Sequence, residues 1–438
     1  MGRSGRRARL AWWVGACALA AVVALVSILL GGHRRDDPSL DVLDEWAHYA
    51  YVVDLQHHHI PAWGDPQNQP ALRLFDCLGN GFYKPGECDG RTREASRFPT
   101  GGSSYEAQQP PLGYLPYALT AQPGAAPAAA LAAARKGGRI WTVAAAVLLL
   151  AVAAVEGLPL IALAVLETTC LLGPVHVHAA ATVNNDAAGV AAGALALLVA
   201  AALRGRRRPL LGFAIGLGAG VVIGMLKGVF VVAPFALVLA GLLAERPWTL
   251  SAAAGRDALR RNAALLGMLA GAAGSYLGWI VWQDARARVS SSIVLHLLLD
   301  ATRTDHLHPS SMVRGLAALM SLLVPYSPDA PVHHIWNIAF LGAVVAVVVL
   351  RTRSDVTWGT RALAGATVVA MVTLAAGWPV VNYVQGHWDL HAETRYALPL
   401  LPVLAMVVVR SAERFGMLLL GLVLPASAAA WQIATPTV

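Results

Sequence analysis

Long uninterrupted apolar runs recur along the chain, and most reach the roughly 20 residues that a helix rising about 1.5 Å per residue needs to cross about 30 Å of hydrocarbon. Inside a bilayer no water satisfies the backbone, so a spanning segment closes its own hydrogen bonds as a helix or joins a closed barrel. Runs this long predict helices, and the chain is expected to be an all-α, polytopic membrane protein. Composition agrees: of 438 residues, 57% are hydrophobic and 13% charged, and the mean hydropathy of +0.56 lies outside the range of ordinary soluble domains.

About eleven spans are predicted, near residues 12–30, 140–155, 159–178, 186–203, 210–226, 229–244, 263–282, 335–350, 362–381, 397–409 and 415–431. Residues 1–438 read as a single transmembrane domain with loops at about 31–139, 283–334 and 382–396, and with no separate soluble domain. Short juxtamembrane helices are expected in the first and largest loop. The basic, long apolar start reads as an uncleaved first span rather than a signal peptide.

The formal charge of +8 would suggest nucleic acid for a soluble protein, but the arginines follow the positive-inside rule instead. Arg3, Arg6, Arg7 and Arg9 precede the first span, and Arg204, Arg256, Arg260, Arg261, Arg351, Arg353, Arg361, Arg410 and Arg414 fall in other short connections. Placing these in the cytoplasm puts the N-terminus inside and the three loops outside. The abundance of Arg and Ala over Lys suggests a GC-rich bacterial genome, and hence a plasma membrane. Cys77 and Cys88 flank "LGNGFYKPGE" in the first outer loop, where a disulfide is plausible, whereas Cys17 and Cys170 sit in apolar helices.

Chemistry-bearing residues gather at the outer ends of the spans. "LDEWAHYAYV" sets Asp44 and Glu45 side by side with His48 one turn on, and Val42, Trp46 and Val53 are placed to lie on the membrane surface. Taken alone, such an acidic pair reads as a solvated helix start favoured by the helix dipole. "YEAQQPPLGYLPYAL" carries Tyr114, and "HVHAAATVNNDAAG" carries Asn185 and Asp186, either of which suits an ordinary N-cap. His176 and His178 stand near enough in sequence to reach the Asp186 pocket. Lys227, and Arg395 beside Tyr396, are cations at membrane edges that either snorkel to headgroups or hold a lipid-linked phosphate. Glu167 falls at mid-span, protonated or paired within the bundle. His57, His58 and His59 form a run with no second cluster to complete a metal site.

A first span, "LDEWAHYAYV", a long loop, "QPPLGYLPYAL", "VNNDA" and a late "RYALPLLP" follow one another in an order that resembles the C-type glycosyltransferase (GT-C) superfamily of integral-membrane enzymes using polyprenyl-phosphate sugars. The nearest look is to protein O-mannosyltransferases, the aminoarabinose transferase of lipid A and related bacterial membrane proteins. The resemblance covers nearly the whole chain. It implies that Asp44, with Glu45 as neighbour, is the catalytic base that takes a proton from an acceptor hydroxyl. Arg395 and Lys227 are then candidates for the donor phosphate, and His48, Tyr114, Asn185, Asp186 and Tyr396 for substrate contacts. In some members acids at such positions approach a divalent cation, so Asp44 and Asp186 are possible ligands. The implied partners are a polyprenyl-phosphate-linked sugar donor, a cell-envelope acceptor and the lipid bilayer, with no nucleic acid. Gly113 departs from relatives that carry a second tyrosine in H-P-P-L-Y-Y.

Two other classes answer to similar residues. A transporter or flippase of lipid-linked sugars would distribute polar groups through mid-membrane and interrupt its helices in repeated pairs. A noncatalytic envelope-assembly subunit would not need Asp44.

Overall fold

The computed structural model describes residues 3–37, 39–40, 44–80, 85–86, 88–203, 208–245, 252–289, 304–320, 358–386 and 388–412. Among the described residues all regular structure is helical, apart from an isolated antiparallel bridge between Pro66 and Ser103. Among the described residues six helices are long and apolar enough to cross a membrane: Ala8–Leu30, Pro127–Glu156, Asn185–Leu203, Pro209–Leu226, Ala263–Arg286 and Gly359–Val384. Leu10, Val22, Leu29, Leu210, Val281 and Val384 project outward from them, as side chains facing lipid do. The fold is that of a polytopic helical membrane protein. The spans expected near 335–350 and 415–431 lie outside the described residues.

Three boundaries differ from expectation. The helix expected to begin at Ile140 belongs to a 30-residue apolar stretch, Pro127–Glu156. Arg135, Lys136 and Arg139 mark a loop to the eye, but the alanines around them favour helix, Pro127 starts it, and Arg135 is fully buried. The span expected at 159–178 is two helices, Leu160–Leu171 and Pro174–Ala181, bent by 56°. Pro174 has no N–H to continue the ladder, and Gly173 before it takes an extended conformation. The late span opens as a 3-10 turn, Thr394–Leu400, before the helix Leu401–Ala412.

Two helices of the bundle touch backbone to backbone. A Cβ on Gly216 would stand 2.0 Å from the Ala264 carbonyl oxygen, and one on Gly220 would stand 2.0 Å from that of Met268. Gly267 and Gly271 return the contact against Phe213 and Leu217. Numbers rise together along this contact, so Pro209–Leu226 and Ala263–Arg286 run parallel. Small residues spaced by four permit this approach, which dispersion and close packing stabilise in a bilayer.

The segment between the first and second spans is folded around its own apolar core. Helix Glu45–Gln56 lies at its centre, with Glu45 to Val53 all buried. Leu72 and Phe75 of Gln69–Leu78 pack there with Tyr114, Tyr117, Leu131 and Val183. Trp46 and Val53, expected against the membrane surface, are 3% and 0% exposed. Trp46 packs on Phe75 and Tyr105 instead, because helix Gln69–Leu78 and the 95–114 segment cover the face that lipid would have touched. Val42 lies outside the described residues. Cys77 and Cys88 are joined in a disulfide. The far end of Ala263–Arg286 docks on this cap: Trp279 Nε1 donates to the Gln108 carbonyl (3.1 Å), Gln283 to that of Pro61 (3.1 Å) and Arg286 to that of Ile60 (2.8 Å).

Candidate functional site

Asp44 and Glu45 have different surroundings. Asp44 occupies the N-cap position of its helix in a left-handed conformation (φ 49°), which Asp tolerates better than most residues, and its side chain makes no cap hydrogen bond. Its carboxylate turns to distant partners: Tyr105 Oη donates to Oδ1 at 2.8 Å, and Arg395 Nη2 lies 3.5 Å from Oδ2. The Asp44 side chain is 35% exposed, enough to meet a ligand.

Glu45 is 1% exposed and held on both oxygens. Arg135 donates through Nε (2.8 Å) and Nη2 (2.6 Å), and the Val183 N–H donates to Oε1 (2.8 Å). The same guanidinium reaches the carbonyls of Asp37 (2.6 Å) and Ser39 (2.8 Å). One buried fork thus ties the end of the first span, the Asp44 turn, helix Pro127–Arg135 and the strand-like approach to Asn184 into one piece. This makes Glu45 a fastener that fixes where Asp44 stands.

Asn184, rather than Asn185 or Asp186, caps the following turn, its Oδ1 accepting from the Asp186 N–H at 2.8 Å. That frees the Asp186 side chain, fully buried, to meet Lys227 Nζ at 2.7 Å and Arg395 Nε at 3.4 Å. Lys227 sits in the extended break that ends Pro209–Leu226, 6% exposed, so it is paired inside the protein and does not snorkel. Arg395 also lies 2.6 Å from Glu393, while its Nη1 is buried with no hydrogen-bond partner among the described residues. Tyr396 floors the group, 5.4 Å from Lys227 Nζ and 5.6 Å from the Arg395 guanidinium carbon, with Trp378 against its ring. Three carboxylates therefore face two cations, and the buried Arg395 Nη1 keeps unused hydrogen-bonding capacity among the described residues.

Behind Asp44 lies a second cluster. His48 Nδ1 is 2.7 Å from Tyr114 Oη, which donates to Glu106 Oε2 at 3.2 Å, and Glu106 Oε2 is 3.5 Å from His48 Nδ1. Tyr51 stacks on Tyr114 at 4.4 Å and donates to the Gln109 carbonyl. Asn185 Nδ2 reaches Gln109 Oε1 at 3.3 Å. Burial, with Asp44 nearby, pushes the Glu106 carboxyl up to about 8. His48 and Tyr114, expected to touch substrate, are buried against this carboxyl.

Glycine at 113 has a physical reason. A Cβ there would stand 2.7 Å from the Leu226 carbonyl and 2.9 Å from Asn185 Cβ, so a tyrosine does not fit at this position.

The residues do not fit a divalent-cation site. The Arg395 guanidinium stands between Asp44 and Asp186, and among the described residues no three His, Cys, Asp or Glu side chains gather around one point. His59 pairs with Asp65 at 3.1 Å, and His176 shares a 3.4 Å hydrogen bond with Thr142. Glu167 is fully buried, its oxygens without hydrogen-bond partners among the described residues.

Sequence reasoning missed Tyr105, Glu106, Arg135 and Glu393. Glu106 stands inside the quoted "YEAQQPP" and Glu393 two positions before Arg395, but only the fold makes either adjacent to Asp44 or Asp186. Arg135 had one signal, a cation inside an alanine-rich helical stretch. The chain matches no family model, no curated protein and no solved structure.

Proposed function

We propose that this protein is a membrane glycosyltransferase that moves a sugar from a polyprenyl-phosphate donor to a hydroxyl of a cell-envelope acceptor. The observation that carries the reading is the meeting of Asp44, Asp186, Lys227 and Arg395, drawn from four separate motifs, at the cap end of the bundle. A partly exposed carboxylate beside a cation with an unused N–H suits a base next to a phosphate. In this reading the acceptor oxygen attacks the anomeric carbon, and the bond from that carbon to the phosphate oxygen breaks with inversion. Asp44 takes the hydroxyl proton, and the charge left on polyprenyl phosphate falls to Arg395 and Lys227. The 3.5 Å Asp44–Arg395 contact opens to admit the sugar. The reading includes eleven spans, a cytoplasmic N-terminus, a site on the extracytoplasmic face of the plasma membrane, and a donor tail lying among the helices.

The test is transfer of radiolabelled sugar from a panel of polyprenyl-phosphate sugars to membrane acceptors, using wild type and Asp44→Asn. Labelled product from wild type and a loss of at least about a hundredfold in the variant are expected. Equal transfer by both proteins removes Asp44 from the mechanism. A flippase is the second reading, favoured by the 56° bend at Gly173–Pro174 and the buried Glu167 in the helix before it. Donor crossing reconstituted vesicles without acceptor-dependent product would establish that reading instead.

A further inference from the structure

The cluster behind Asp44 has no part in the scheme above, yet its position gives it one. Glu106 is buried between the two halves of the site: Tyr105, its neighbour in sequence, holds Asp44, while Glu106 itself accepts from Tyr114 and faces His48. The charged and titratable groups acting on it come from every element around it. Asp44, His48 and Tyr51 belong to the Glu45–Gln56 helix and its cap, Tyr105 and Tyr114 to the same loop, Tyr276 to Ala263–Arg286, and Lys227 and Arg395 to the ion cluster.

The charge count makes its proton matter. Asp44, Asp186 and Glu393 already outnumber Lys227 and Arg395, and a phosphodiester brings one more negative charge. An ionised Glu106 would add a further anion, poorly screened because it is buried, and would compete for the same two cations.

We propose that Glu106 is a positioning residue whose neutral carboxyl, anchored by Tyr114 beside His48, leaves Lys227 and Arg395 able to accept a lipid-linked phosphodiester. Loss of its proton expels the anion. This rests on the phosphate reading of the two cations. The Tyr114 hydroxyl tunes the proton's hold, since a hydrogen bond donated to the carboxyl favours the ionised form.

The experiment is equilibrium binding of a radiolabelled short-chain prenyl methyl phosphodiester to the purified full-length protein between about pH 6 and pH 9.5. The probe carries one charge throughout and no sugar. Wild type should bind with constant affinity on the acidic side and weaken above about pH 8, by up to about tenfold per pH unit, the limit for one linked proton. Glu106→Gln should remove the fall, and Tyr114→Phe should move its midpoint upward. A flat wild-type profile overturns the proposal, as does a fall that survives in Glu106→Gln. Should that variant not fold, an unmoved midpoint in Tyr114→Phe overturns it. Binding that is lost in Arg395→Ala but is flat with pH removes only the role of Glu106. Absence of binding at every pH, or binding unaffected by Arg395→Ala, removes the phosphate reading along with it.

Discussion

Breaking the Glu45–Arg135 fork should cost far more stability than any change at Asp44, although the two acids are adjacent. Glu45→Gln keeps the shape but leaves the fully buried Arg135 guanidinium without that carboxylate. Removing one partner of a buried pair costs about 3–5 kcal/mol, because the remaining charge stays desolvated. Arg135→Gln strands Glu45 in the same way and also releases the carbonyls of Asp37 and Ser39. The double variant carries no stranded charge, only orphaned polar groups at about 1–3 kcal/mol each. The singles should therefore sum to roughly 6–10 kcal/mol, while the double loses about 3–5, a coupling of at least about 1 kcal/mol. Asp44→Asn, partly exposed and at 3.5 Å from its cation, should stay within about 1 kcal/mol of wild type. Reversible unfolding in mixed micelles of increasing SDS fraction measures all four. Additive singles, or a Glu45→Gln loss below about 1 kcal/mol, would refute the claim that this pair fastens the site.

The helix pair should resist any side chain at its contact: Gly220→Val puts a Cβ where the Met268 carbonyl stands at 2.0 Å, and should cost about 3 kcal/mol or more in the same micelle titration. It should also weaken prenyl phosphodiester binding, because Lys227 follows the displaced helix. Gly113→Tyr should lower both folding yield and any transfer, with Gly113→Ala losing about 1–3 kcal/mol against the Leu226 carbonyl. Burial raises the Glu106 carboxyl to about 8 and that of Asp54 to about 6. A carboxyl raised on folding holds more protons in the native state, so stability is greatest below the unfolded values near 4 and falls as pH rises towards 8. Glu106→Gln should flatten the upper part of that decline, read as the SDS midpoint at about pH 5 and pH 8.5.

The spans were legible because their signal is local: apolar length needs no partner to be read. What the sequence does not display is how charges pair once chains fold. Asp186 reads as an N-cap until Asn184 is seen to take that place and Lys227 is seen 2.7 Å away. Helix Glu45–Gln56 reads as a surface helix because it is flanked by polar loop, but Gln69–Leu78 and the turns from 95 to 114 cover it. The bend at Gly173–Pro174 was written in the proline, but the apolar residues on both sides masked it. Arg135 falls in the segment expected to be a loop, and only the buried Glu45 opposite explains its presence in a helix.

The contact between Asp44 and Arg395 joins positions 351 apart. A ribosome adding about 5–20 residues per second spends roughly 20–70 s between the two. In the later part of that interval, once Lys227 has been added, the nascent protein carries Asp44, Asp186 and Lys227 without the guanidinium that bridges the two acids. Any premature stop before Arg395 leaves an inserted chain without the bridge, so this contact arrives late in synthesis and in one step.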